Sequence, residues 1–192
     1  MIVSNTHRFV FAHVPKTGGI SVRAALARYA DGQDAALSGT THETLPELLA
    51  RRPDLGGHFK FGFVRNPWER LVSFYCHARA RLAPSFPQFQ SLTFTEWLRQ
   101  ADANAGWLAS LFVLRPQREC LDGADFVGRF ETLAPDFAQV TARLGLAVAL
   151  PHKNATRHGA YATCYDGWGR DFVARRYAGD IEQFGYRYET AS

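Results

Sequence analysis

The sequence lacks any apolar stretch approaching the roughly 20 residues that span a bilayer. Its opening, Met-Ile-Val-Ser-Asn-Thr-His-Arg, has neither a basic n-region nor a long apolar h-region. No transmembrane segment and no signal peptide are therefore expected. C-x-x-C pairs are missing too. The three cysteines, Cys76, Cys120 and Cys164, are widely spaced and odd in number, which supports neither a zinc site nor a thioredoxin-like motif. Read as small buried thiols, they suit a reducing compartment, so a cytoplasmic location is expected. There is no internal repeat and no low-complexity segment, and 16 Gly with 9 Pro is far below a collagen-like bias. No His/Asp/Glu cluster has ligand spacing, so no metal is expected.

What the chain does have is enough apolar residue for one sizeable core. It is 192 residues long, 46% hydrophobic and 21% charged, which excludes a disordered chain and predicts a single domain over 1–192. Twenty-two Lys+Arg against 18 Asp+Glu leave +4, with a pI near 9.1. That excess permits an anionic partner without identifying one. Nucleic acid, an anionic membrane, a polyanionic sugar and a multiply charged cofactor all fit.

Phe9, Val10, Phe11 and Val14 form a short apolar run over 8–14 suited to a buried strand. Pro15 ends it, the Gly18-Gly19 pair follows, and Ile20, Ala24, Leu26 and Ala27 recur near helical spacing over 20–30. A second helix is predicted over 43–52, then a buried strand from Phe59 to Val64. Asn66 and Pro67 start another helix, as N-cap and first residue, with Leu71, Phe74, Tyr75 and Ala78 as its core stripe. Thr93 with Glu96 forms a capping box. Phe126 to Phe130 reads as a strand, and a helix from Thr132 stops at Gly145. A last helix covers about 169–178, extended or followed by another to Phe184. Strands alternating with helices predict an α/β fold with a mainly parallel sheet, whose ligands bind beyond the carboxyl ends of the strands.

Two segments place polar residues at that edge. Residues 11–21 read Phe-Ala-His-Val-Pro-Lys-Thr-Gly-Gly-Ile-Ser. A glycine pair between strand and helix lets main-chain N–H groups converge on an anion at a helix N-terminus. Lys16 adds charge, and Thr17 and Ser21 add hydroxyls. A triphosphate-binding loop, G-x-x-x-x-G-K-S/T, has its lysine after the glycines; here Lys16 precedes them, and the element that places magnesium is absent. Residues 61–75 read Phe-Gly-Phe-Val-Arg-Asn-Pro-Trp-Glu-Arg-Leu-Val-Ser-Phe-Tyr. Arg65 falls at the strand's carboxyl end, where its planar fork suits a phosphate. Ser73, eight residues on, lies on the side of its helix away from Leu71, Phe74 and Tyr75. The bland alternatives are an ordinary turn with a surface lysine, a surface salt bridge at Arg65, and a Ser73 hydroxyl back-bonded to its own helix.

Together, P-K-T-G-G followed by V-R-N-P-x-x-R-x-x-S resembles the two cofactor signatures of the sulfotransferase family, in its carbohydrate-type branch. The resemblance implies a three-layer P-loop-like α/β fold, with a mainly parallel central sheet flanked by helices. It implies 3′-phosphoadenosine 5′-phosphosulfate (PAPS) as donor and no metal. Lys16, Thr17, Gly18, Gly19, Ile20 and Ser21 would then cradle the 5′-phosphosulfate, and Arg65 with Ser73 would hold the 3′-phosphate. It continues more weakly through V-G-R-F-E at 127–131, P-H-K-N at 151–154 and D-I-E-Q-F-G-Y near the C-terminus. In related enzymes a late basic loop closes over the nucleotide; here His152, Lys153, Asn154, Arg157 and His158 supply one, with Lys153 and Arg157 as candidate contacts. A solvated charge run is the plainer reading of that segment.

Sulfuryl transfer needs an in-line nucleophile, a positioned donor and a base for the acceptor's proton. Similar sulfotransferases carry a catalytic histidine between the two signatures, which points to His42, with Glu43 as the alternative base. His58 is expected at the amino end of its strand, away from the cofactor edge, and His13 inside the first strand. Lys16 would stabilise charge on the transferred group. The expected acceptor is a hydroxyl, of a saccharide or glycoconjugate, chosen by loops at 30–58, 79–93 and 104–124. The competing readings are a P-loop kinase or triphosphatase and a non-catalytic polyanion-binding module. No nucleic-acid motif is recognisable, and Lys16, Arg65, Lys153 and Arg157 suffice to meet one PAPS molecule.

Overall fold

The structure is a computed structural model that describes residues 1–31, 43–81, 91–104, 111–151 and 160–189. The chain divides into two compact units that interleave along the sequence: 1–65 with 117–154, and 66–116 with 155–192.

The first unit is α/β. Strands β1 (Ile2–Ser4), β2 (Phe9–Ala12), β3 (Phe59–Val64) and β4 (Phe126–Arg129) form one sheet in the order β1-β2-β3-β4. β1 is antiparallel to β2, while β2, β3 and β4 run parallel. The register sets Phe11 beside Phe61 and Gly62 beside Val127. Because side chains alternate across a strand, Phe9, Phe11, Phe61 and Phe63 share one face. All four are fully buried. They pack with Val22, Ala25 and Leu26 of α1 (Gly19–Leu26) and with Phe137 and Val140 of α6 (Leu133–Leu144). α2 (Leu45–Arg51) opens on a complete capping box, in which the Thr44 hydroxyl accepts from the Glu47 N–H and the Glu47 carboxylate accepts from the Thr44 N–H. α5 (Gln117–Cys120) is a single turn that buries Gln117 and Cys120 and exposes Arg118 and Glu119. α6 ends on Gly145, whose φ of 65° is the left-handed conformation a helix stop requires.

Two details differ from the sequence reading. The first strand is shorter than 8–14 and is preceded by β1, joined to it through a tight turn in which Arg8 takes φ 52°. His13 lies just past the carboxyl end of β2, because the parallel register with β3 runs out at Ala12.

The second unit is helical: α3 (Pro67–Arg81), α4 (Phe94–Ala103), α7 (Gly167–Arg176) and α8 (Ala178–Phe184). Its core joins Trp68, Leu71, Phe74, Tyr75 and Ala78 of α3 to Phe94, Trp97 and Leu98 of α4 and to Phe172, Val173 and Tyr177. The stripe predicted for α3 is there, but the helix is buried more widely, with Arg70 and Ser73 at 1% and 2% exposure. A buried guanidinium needs acceptors, and Arg70 donates to the carbonyls of Val113 and Arg115 at 2.5 and 3.1 Å, while the Tyr177 hydroxyl donates to the Leu114 carbonyl between them. Thr93 and Glu96 make the predicted capping box. Among the described residues no helix is long and apolar enough to cross a membrane, and Cys76, Cys120 and Cys164 form no disulfide.

Candidate anion-binding site

β2, β3 and β4 end side by side in the first unit, and each delivers one component of the candidate site just past its carboxyl end. These are the turn 13–19, Arg65 and Phe130.

The turn is shaped by conformations unusual for the residues that adopt them. Lys16 has φ 71° and Gly18 φ 79°, while Thr17 between them is not left-handed. Such alternation turns successive main-chain N–H groups toward one concave side, a nest suited to an anion. A lysine in the left-handed region is strained, and strain of this kind collects at ligand sites. The Thr17 hydroxyl donates to the Val14 carbonyl at 2.8 Å, so its proton closes the turn. What Thr17 can offer an anion is its main-chain N–H. α1 starts at once, with the N–H groups of Ser21 and Val22 donating to the Gly18 carbonyl. Ser21 is buried, and Ile20 stands out at 54% exposure beside the turn.

Packing behind the turn leaves no space for side chains at the two glycines. A Cβ on Gly18 would come within 2.5 Å of Leu133 Cδ2 and 3.2 Å of Phe130 Cδ2; one on Gly19 would lie 2.0 Å from His13 Cδ2. The glycine pair is thus demanded by the protein's own packing. His13, expected within a strand, is instead the half-buried wall behind Gly19, stacked on Phe11.

Arg65 is 5% exposed, so the surface salt-bridge alternative is set aside. Its guanidinium carbon lies 3.9 Å from the centre of the Phe130 ring, a close cation–π stack. Its Nη1 donates to the Lys16 carbonyl at 3.2 Å. This bond ties the two signature segments together. It also holds the Lys16 peptide while the positive charge of Arg65 stands against the turn. The main chain of Arg65 is held as well. The Gln117 carboxamide accepts from the Arg65 N–H at 2.9 Å and donates to the Arg65 carbonyl at 2.8 Å.

The remaining candidates divide. Ser73 is buried on α3 in the second unit. His42, Lys153 and Arg157 lie outside the described residues, as do His152, Asn154 and His158. Glu43 is described: its carboxylate is taken by Arg51 Nη2 at 2.8 and 2.9 Å, which occupies the oxygens a base would use. The helix near it is capped by Thr44. His58 sits just before β3, at its amino end as expected, and is buried. Neither ring nitrogen has a hydrogen-bond partner among the described residues. Burial, and then the charge of Arg8, hold its pKa below the ordinary histidine value. No group of metal-ligating side chains occurs among the described residues.

Sequence reasoning missed Gln117 and Phe130 as parts of this site. Residues 117–121 fall within the substrate-selecting loop expected at 104–124, but Gln117, Cys120 and Leu121 are buried framework. The sequence marks Phe130 as the end of a strand and as part of V-G-R-F-E, and its use as a platform for Arg65 is a contact across 65 residues that no local pattern shows.

The site sets a concave main-chain turn before a helix beside an arginine held at the carboxyl edge of a parallel sheet. The model of the sulfotransferase family matches residues 1–187, and the chain belongs to that family. Human carbohydrate sulfotransferase 14 is 31% identical over 173 residues, a match covering 73% of this chain and 45% of that protein. The mouse protein of the same name is 30% identical with the same coverage. The match thus spans less than half the length of these relatives. No solved structure matches the chain.

Proposed function

We propose that this protein transfers the sulfuryl group of PAPS to a hydroxyl of a saccharide or glycoconjugate, with 1–192 acting as one sulfotransferase domain of the three-layer P-loop-like class. The observation that carries the reading is the Arg65–Lys16 bond. The two segments read as donor-binding signatures meet, on neighbouring parallel strands, around an anion nest. Family membership and the carbohydrate sulfotransferase relatives point to the same chemistry.

The residues present fit such a donor. The strained Lys16 and left-handed Gly18 form a concave main-chain surface, and the glycines are crowded from behind. When bound, PAPS supplies a sulfuryl group already attached to a phosphate leaving group. The chain's part is then electrostatic and positional, as in phosphoryl transfer. The N–H groups of the 16–21 turn, with the Lys16 ammonium, hold the 5′-phosphosulfate and offset the negative charge that grows on the departing phosphate. Ile20 lends apolar surface beside it. Arg65 meets the 3′-phosphate. Ser73, in the second unit, is assigned to the same phosphate from the R-N-P-x-x-R-x-x-S spacing alone. The His42 imidazole takes the proton of the acceptor hydroxyl at its unprotonated nitrogen, a role favoured by the engagement of Glu43 with Arg51. Lys153 and Arg157 are assigned to the nucleotide's outer side from the late basic segment.

The test is nucleotide selectivity. Adenosine 3′,5′-bisphosphate should bind at least about tenfold more tightly than AMP, the worth of one charge-assisted hydrogen bond, and Arg65→Ala should remove the difference. Equal affinity for the two nucleotides, or magnesium-dependent ATP turnover in their place, would overturn the reading in favour of a P-loop kinase or triphosphatase.

A further inference from the structure

We infer that Gln117 is a positioning residue for Arg65 and sets the protein's preference for a 3′-phosphorylated nucleotide; this rests on the assignment of Arg65 above. β3 pairs with β2 only as far as Gly62 and with β4 as far as Val64, whose carbonyl takes the last bond, from the Phe130 N–H. Arg65 therefore lies one residue beyond the ladder. Its peptide groups nonetheless sit in a buried place and need partners.

Gln117 supplies both. Its Oε1 accepts from the Arg65 N–H at 2.9 Å, and its Nε2 donates to the Arg65 carbonyl at 2.8 Å. The side chain acts as one peptide unit of an absent strand. Only one orientation of the carboxamide satisfies both bonds, so its oxygen and nitrogen are assigned by the network itself. Gln117 is 0% exposed, so no water competes for these contacts.

A two-point clamp on the backbone of Arg65 fixes the direction in which its side chain leaves. The guanidinium then reaches the Phe130 ring and the Lys16 carbonyl together. The clamp needs a donor and an acceptor together at this reach. Glutamate as a carboxylate loses the donor, asparagine is one methylene short, and methionine loses both bonds.

The experiment measures affinity for adenosine 3′,5′-bisphosphate and for AMP by titration calorimetry. It uses the wild-type chain, Gln117→Met, Gln117→Glu, Arg65→Ala and the Arg65→Ala/Gln117→Met double variant. A charge-assisted hydrogen bond lost through misdirection of its donor costs roughly ten- to a hundredfold in affinity. Gln117→Met should accordingly weaken the bisphosphate roughly ten- to a hundredfold more than it weakens AMP. In the Arg65→Ala background the same substitution should have no further effect on nucleotide affinity, the non-additivity expected of residues acting through one another.

Gln117→Glu adds a readout that a structural role would not move. Its protonated carboxyl can accept and donate like the carboxamide, so the bisphosphate preference should return toward wild type as pH falls through the carboxyl's titration. If Gln117→Met fails to fold, this pH profile decides alone. A folded Gln117→Met with wild-type preference, or a pH-independent Gln117→Glu, overturns the inference while leaving Arg65's role intact. A wild-type chain without any preference overturns both.

Discussion

Alanine at Gly19 should push the turn off its wall. The added Cβ would lie 2.0 Å from His13 Cδ2, 2.2 Å from Nε2 and 3.1 Å from Cγ, far inside any ordinary carbon contact. The ring cannot yield freely, because its other side stacks on Phe11 at 6.0 Å between centroids, and Phe11 is fully buried in the sheet. Overpacking of this kind costs about 1–3 kcal/mol. For a chain of 192 residues that lowers the midpoint of thermal unfolding by roughly 2–12 °C. Differential scanning fluorimetry with urea unfolding measures it. His13→Ala removes the obstructing ring, so in the double variant Gly19→Ala should cost much less than it does alone, a coupling of at least about 0.5 kcal/mol. A fully stable Gly19→Ala, or strictly additive effects, would refute the packing described behind the turn.

Two further outcomes follow from single residues. Thr17→Val removes the hydroxyl that donates to the Val14 carbonyl; it should destabilise by about 1 kcal/mol and weaken adenosine 3′,5′-bisphosphate, and unchanged stability by urea unfolding would show the bond to be idle. His58 should make the protein acid-sensitive. Its folded-state pKa is depressed by burial, then by Arg8, with Arg52 and Lys60 in the same sense and Asp54 opposing. The unfolded chain therefore binds the proton more readily. This contribution is fully present above about pH 6.5, the unperturbed value, and is lost as pH falls below it. His58→Leu should flatten the change in urea midpoint between pH 7.5 and 5.5, and an unaltered pH dependence would rule the effect out.

The turn at 13–19 was legible because a continuous apolar run, a proline and two glycines mark strand, stop and helix start in order. Capping boxes at Thr93 and the stop at Gly145 were legible for the same local reason. The left-handed backbones of Lys16 and Arg8 were not, since such a conformation at a non-glycine residue leaves no compositional trace. β1 has only three residues, too few for a pattern to stand out before β2. Ser73 was expected on the face away from the apolar stripe. In the structure α3 is buried on that side too, because the polar head of Arg70 is satisfied by main-chain carbonyls more than 40 residues distant. The clamp from Gln117 to Arg65 spans 52 residues, and nothing in residues 115–121 advertises it. Local chemistry was readable; the contacts that aim it were not.

Sulfuryl transfer is measured directly by incubating the chain with sulfur-labelled PAPS and a panel of glycans, lipids and small alcohols. Label is expected on a saccharide acceptor without added metal, with adenosine 3′,5′-bisphosphate as the other product. Transfer should be abolished in His42→Ala, while that variant's nucleotide affinity stays within about twofold of wild type. Bisphosphate binding without transfer to any acceptor, or transfer undiminished in His42→Ala, would contradict it.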